Sequence, residues 1–107
     1  MFITKKSTIG IIKLTGIIST QSTLGSRGSL NLNDLSDSIT KAFSFKNMKA
    51  IVLLVNSPGG SPVQSALIAN RIRDLAKEKE IPVYCFIEDL AASGGYWLSC
   101  AADKIYA

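Results

Sequence analysis

Apolar residues along this chain come in short dense runs, and between the runs they recur at every third or fourth position. Ile9 to Ile18 reads Ile-Gly-Ile-Ile-Lys-Leu-Thr-Gly-Ile-Ile, a β-branched stretch of strand length that predicts a buried strand. Ser19 to Ser29 is rich in Ser, Thr and Gly and predicts a loop. Leu32, Leu35, Ile39, Ala42 and Phe43 then fall at helical spacing, which predicts a helix from about Leu32 to Phe45, capped by Asn31 or Asn33. Ile51-Val52-Leu53-Leu54-Val55 is continuously apolar, the pattern of a parallel strand covered on both faces. A sharp loop, Asn56-Ser57-Pro58-Gly59-Gly60, leads to Ser61-Pro62. Ser as N-cap and Pro at the first helical position open a second helix there. That helix ends in the charged run Lys77-Glu78-Lys79-Glu80, read as a solvated turn. Pro82 to Ile87 predicts a third strand, Glu88 to Ala92 a turn, and a short helix starts near Ser93 or Gly94. Asp103 to Ala107 looks like the start of a fourth strand. The order β-α-β-α-β-α-β implies an α/β fold with a mostly parallel sheet, βαβ crossovers and helices on its faces. The expectation for residues 1–107 is one domain, incomplete because its last strand has no closing element.

Composition narrows the function classes. With 47% hydrophobic and 19% charged residues the chain is an ordinary globular one. The net charge of +4 comes from scattered Lys and Arg with no dense cluster, so a nucleic-acid partner is not expected. Cys85 and Cys100 sit in apolar runs and are expected as buried free thiols; no Cys/His cluster suggests a metal. No cofactor is expected. No apolar run reaches a spanning length and the first residues do not read as a signal peptide, so this stretch is expected to be soluble. An anchor elsewhere in a longer parent stays compatible with that.

Two turns carry candidate chemistry, and each follows a predicted strand at the edge where open α/β sheets bind ligands. Ser93 lies in Ala91-Ala92-Ser93-Gly94-Gly95, between small residues that leave its hydroxyl accessible. Backbone N–H groups at the start of a helix favour negative charge, as an attacked carbonyl develops. Ser93 reads equally well as a nucleophile or as an ordinary N-cap. The Gly59-Gly60 pair tips the balance: Gly60 N–H and Gly94 N–H could be two oxyanion donors, although a tight β-to-α turn would use the same glycines. The base is the gap. The chain has no histidine, and neither Lys49, Lys104, Lys77 nor Lys79 is well placed to activate Ser93.

The segments Ile51 to Gly60, Ala91 to Trp97 and Ala101 to Ile105, with Ile9 to Ile18 as the opening strand, closely resemble the signal peptide peptidase A family. The resemblance implies a Clp protease/crotonase-like fold and a serine endopeptidase with a Ser-Lys dyad, acting on peptides such as signal-peptide remnants in a membrane. Ser93 matches the family's nucleophile, and Gly60 and Gly94 match its oxyanion-hole positions. The family's catalytic Lys would fall beyond Ala107, and in the family a neighbouring copy of the domain can deliver it. A homo-oligomer is therefore expected, with Tyr96 and Trp97 either at a partner surface or in the domain's own core. The family's membrane anchor is not in this stretch, and without a base the chain alone is expected to be inactive. Two other readings stay open: a non-catalytic piece that only associates with other copies, and a crotonase-type enzyme acting on a coenzyme A thioester.

Overall fold

The computed structural model describes residues 7–20 and 30–107. Its elements are β1 (Thr8–Thr15), α1 (Leu32–Ser44), β2 (Met48–Ser57), α2 (Pro62–Lys79), β3 (Val83–Ala91), α3 (Gly94–Ser99) and β4 (Lys104–Tyr106). The strands form one sheet in chain order, every neighbouring pair parallel. Most of the expected Ser19–Ser29 loop, and the Met1–Lys6 stretch weighed as a leader, lie outside the described residues.

Both long helices start where the sequence places their caps. Asn31 Oδ1 accepts from Asp34 N–H at 2.8 Å, and Ser61 Oγ accepts from Gln64 N–H at 3.2 Å with Pro62 in the first turn. Each such cap is worth about 1 kcal/mol. α2 runs through most of the charged stretch read as a turn and stops at Glu80, which takes a left-handed conformation at φ 55°. Its buried residues Ile68, Ala69, Ile72, Leu75 and Ala76 follow the helical repeat. Burying Ile68 and Ile72 stabilises the fold by about 2 kcal/mol each.

All the helices lie against one face of the sheet. Ile12 and Leu14 of β1, Ile51, Leu53 and Val55 of β2, and Val83 and Cys85 of β3 share a core with Ile39 and Phe43 of α1, the α2 residues above and Leu98 of α3. On the opposite face Ile9, Ile11 and Phe86 are exposed, Val52 and Leu54 are half-buried, and Phe86 stacks on Tyr106 with ring centroids 5.0 Å apart. The expectation of helices on both faces is thus corrected among the described residues. The reason is topological. Crossovers of one hand between strands laid down in a single direction put every helix on the same side; covering the other side requires the winding to reverse. For the same reason Ile9 to Ile18 is only half buried; the strand itself covers Thr8–Thr15.

The two cysteines part company. Cys85 is buried in β3, whereas Cys100, at the end of α3, is exposed, which corrects the expectation of two buried thiols. Burial pushes the Cys85 thiol up, outweighing a hydrogen bond with Ser99 that lowers it, and nearby Cys100 pushes in the same upward direction. The thiolate is the reactive form. A maleimide at mildly alkaline pH should therefore modify Cys100 quickly and Cys85 only on unfolding, as read by peptide mapping. Equal labelling of both in the folded protein would contradict this burial. Because the folded state favours the neutral Cys85 thiol, its contribution to stability is present below the ordinary thiol value and is lost as pH rises through the elevated one.

Candidate active site

The site is assembled where β2 and β3 end side by side. Val55 pairs with Ile87, but the next pair is Ser57 with Ala91. Between these pairs β3 spends two more residues than β2 does, so Glu88–Leu90 bulges outward while pairing resumes beyond it. Glu88, Asp89 and Leu90 are all exposed. This corrects the expected turn at Glu88 to Ala92, because the strand continues to Ala91. Its continuation, reinforced by Ala92 N–H donating to Ser57 C=O at 3.2 Å, places residue 93 beside the glycine turn that follows β2.

Ser93 is strained. It sits at φ 51°, ψ −115°, a combination outside the allowed regions for a residue with a Cβ. Such a conformation costs about 1–3 kcal/mol and persists only where the surroundings impose it. The restraints are visible: Gly95 N–H donates to Ala92 C=O at 2.9 Å and Trp97 N–H to Ser93 C=O at 3.2 Å. Unlike Asn31 and Ser61, Ser93 makes no side-chain capping bond. Its hydroxyl is exposed and has no hydrogen-bond partner among the described residues. The ordinary N-cap alternative is therefore set aside on geometry.

The two glycine turns touch. A Cβ on Gly59, which has φ 104°, would stand 3.1 Å from Ser93 Cβ and 3.1 Å from Gly94 N. Gly60, at φ 144°, lies so close to β1's extension that a Cβ there would overlap the Ile18 carbonyl oxygen. Gly59 C=O accepts from Ile18 N–H at 3.0 Å. In a trans peptide the next N–H points the opposite way, so Gly60 N–H is aimed away from Ile18. Gly60 N–H and Gly94 N–H donate to nothing among the described residues. An attacked carbonyl placed at Ser93 could use both. α3 has only six residues, so its helix dipole adds little there.

Sequence reasoning singled out the Gly59-Gly60 pair but gave no role to Ser57 or Ser65. Ser57 and Ser65 are fully buried, and Ser65 Oγ donates to Ser61 C=O at 2.8 Å while packing against Gly94. A serine ending an apolar strand run, as Ser57 does after Val55, was the available signal. No lysine among the described residues is buried at the site: Lys13, Lys41, Lys46, Lys49, Lys77, Lys79 and Lys104 are all exposed, and Lys49 and Lys104 stand at the opposite, amino-terminal ends of their strands. A hollow of about 420 Å³ between β1 and α1 is also at that far end, lined by Thr8, Ile9, Met48 and Phe45 among others, and takes no part in this chemistry. Tyr96 and Trp97 are about half exposed, so their rings are not core residues. No metal-ligand cluster and no helix long and apolar enough to cross a membrane exist among the described residues.

Comparison with known proteins gives this geometry its family. A model of peptidase family S49 matches residues 75–107, the segment from the end of α2 through Ser93 to β4. A protein of Enterococcus faecium described as a putative signal peptide peptidase SppA is 39% identical over 105 residues, which is 98% of this chain and 29% of that protein. The chain belongs to the signal peptide peptidase A family. A Brucella melitensis protein described as a Na(+)/H(+) antiporter is 46% identical over 99 residues, 92% of this chain but 13% of its own length. The chain thus spans less than a third of the curated relatives it matches. A solved membrane-bound stomatin-specific protease superimposes with a TM-score of 0.67 at 20% identity, over 95% of this chain and 44% of its own. At that identity the likeness concerns the fold, which is the Clp protease-like α/β arrangement expected for a signal peptide peptidase A relative.

Proposed function

We propose that residues 1–107 form part of a single serine endopeptidase domain in which Ser93 is the nucleophile and Gly60 and Gly94 donate to the oxyanion. The observation that carries this reading is Ser93 itself: a strained, exposed, uncapped serine beside two unpartnered glycine N–H groups. Ser93 Oγ attacks a peptide carbonyl carbon while its proton passes to a base. The carbonyl π pair moves onto oxygen, which accepts from Gly60 and Gly94 N–H. As the tetrahedral species collapses, the C–N bond breaks and the amine leaves with the proton from the base. Water then repeats the attack on the acyl-serine and releases the acid. Each oxyanion donor is worth about 10²–10³-fold in rate.

The base, by family resemblance, is a lysine outside this chain, delivered by another part of the protein or by a second copy in a homo-oligomer. The exposure of the lysines of the described residues supports that placement, and the exposed Tyr96 and Trp97 offer a surface for a second copy. The substrate is a peptide, with signal-peptide remnants as the family's class. The thioester alternative would use the same donors but gives the strained Ser93 no task.

In the full-length protein a fluorophosphonate should label Ser93, and labelling elsewhere with Ser93 untouched would overturn the assignment. Residues 1–107 alone should not hydrolyse a fluorogenic peptide above a Ser93→Ala control, because the loss of general-base assistance costs about 10²–10⁴-fold or more. Turnover well above that control would mean that an in-chain lysine serves, and Lys104 would be the first to replace. Full-length protein that neither turns over nor labels would favour the non-catalytic, associating role.

A further inference from the structure

Gly59 and Gly60 are the least stiff pair of residues a turn can hold, since neither has a Cβ to restrict its backbone. The direction of Gly60 N–H must therefore be imposed by bonds from outside the pair. On one side Ile18 N–H holds Gly59 C=O. On the other side stands a single side chain. Ser57 Oγ accepts from Gly59 N–H at 3.1 Å and donates its one proton to Gly16 C=O at 2.6 Å. The hydroxyl is thus locked between the exit of β1 and the glycine turn, and Ser57 is fully buried. The same residue reaches the nucleophile turn: its carbonyl accepts from Ala92 N–H, and Gly95 packs so closely on it that a Cβ there would stand 2.6 Å from Ser57 O. Ser57 therefore touches both halves of the site without facing the substrate.

Resting on the peptidase reading above, we infer that Ser57 is a positioning residue whose hydroxyl sets the Gly60 N–H donor relative to Ser93. Its effect belongs to the transition state. The donor must meet the oxyanion, whereas a bound substrate carbonyl tolerates a looser partner. In Ser57→Ala, Gly59 N–H loses its acceptor and the glycine pair regains its freedom.

The test uses the full-length protein and three variants. Ser57→Ala should slow fluorophosphonate labelling of Ser93 and lower kcat by about 10–100-fold with KM essentially unchanged, the scale expected for a displaced oxyanion donor. Ser57→Cys, which keeps the shape and bonds weakly, should fall between Ser57→Ala and the wild type, and it decides the matter if Ser57→Ala does not fold. Asn31→Ala removes another buried polar side chain, the α1 cap, whose bonds go to Asp34 and to neither glycine turn. It should lower Tm yet label at the wild-type rate. Wild-type labelling rates in both Ser57 variants, or equal slowing in Asn31→Ala, would overturn the role of Ser57 and leave the peptidase reading standing. A wild-type protein that is not labelled at Ser93 would instead overturn the peptidase reading and this role with it.

Discussion

Replacing Ser93 by glycine should give a protein at least as stable as the wild type and without turnover. The backbone at this position, φ 51° and ψ −115°, costs a residue with a Cβ about 1–3 kcal/mol. Glycine removes that cost and adds about 0.5–1 kcal/mol of extra freedom to the unfolded chain, leaving a net gain of about 1 kcal/mol. The serine hydroxyl is exposed and unpartnered among the described residues, so no hydrogen bond is lost. Ser93→Ala keeps the strain and should match the wild type in a urea titration. In the full-length protein both substitutions should lower turnover by on the order of 10⁴-fold or more, as expected when the nucleophile of a cooperative catalytic set is removed. A glycine variant less stable than the wild type would show that no strain is stored here. Near-normal turnover in Ser93→Ala would remove Ser93 from the mechanism. With both outcomes, stability and turnover would respond in opposite directions to Ser93→Gly, which a purely structural serine has no reason to do.

Gly60→Val should be the most destabilising single change near the site. Any Cβ at Gly60 overlaps the Ile18 carbonyl oxygen and would stand 2.9 Å from the Ile18 carbonyl carbon and nitrogen as well. The obstacle is backbone on a strand extension and has no rotamer by which to escape. The positive φ of 144° adds strain for a β-branched residue. Together these should cost about 3 kcal/mol or more, a large share of the roughly 5–15 kcal/mol that holds a domain folded. Relief would require the turn to move away from Ile18, breaking the Ile18 N–H to Gly59 C=O bond and the Ser61 N–H to Ile18 C=O bond at 2.8 Å. The Gly60 N–H would move with it, so turnover per folded molecule should also fall by about 10²-fold. An unchanged urea midpoint would contradict the contact with Ile18. Normal turnover would contradict the donor role.

The hydrophobic pattern was enough for the order of elements because each element is a local decision. The run Ile51 to Val55 can bury itself only as a strand, and the Ser61-Pro62 pair opens a helix by satisfying that helix's own first N–H groups. The two turns were legible for the same reason: glycine pairs and a serine among small residues mark places where a backbone bends sharply. The candidate residues Ser93, Gly60 and Gly94 could therefore be proposed from spacing at strand ends together with the family resemblance.

What the chain could not disclose by itself is everything that depends on two segments meeting. A continuous apolar run looks the same whether one face or both are covered, and only the unidirectional strand order puts α1, α2 and α3 on one side and leaves Ile9, Ile11 and Phe86 exposed on the other. Glu88–Leu90 has the composition of a turn, yet pairing with β2 resumes at Ala91 and turns the segment into a bulge. Whether Ser93 caps α3 was undecided in sequence; its backbone angles and the absence of a side-chain capping bond rule the cap out, and they arise where its turn packs against Gly59 and bonds to Ser57 through Ala92. Ser57 shows in sequence only as a serine ending an apolar run; its bond to Gly16, 41 residues away, appears only in the folded chain. Local chemistry determines which residues could act, and only the tertiary contacts decide which N–H groups are left unpaired and where they point.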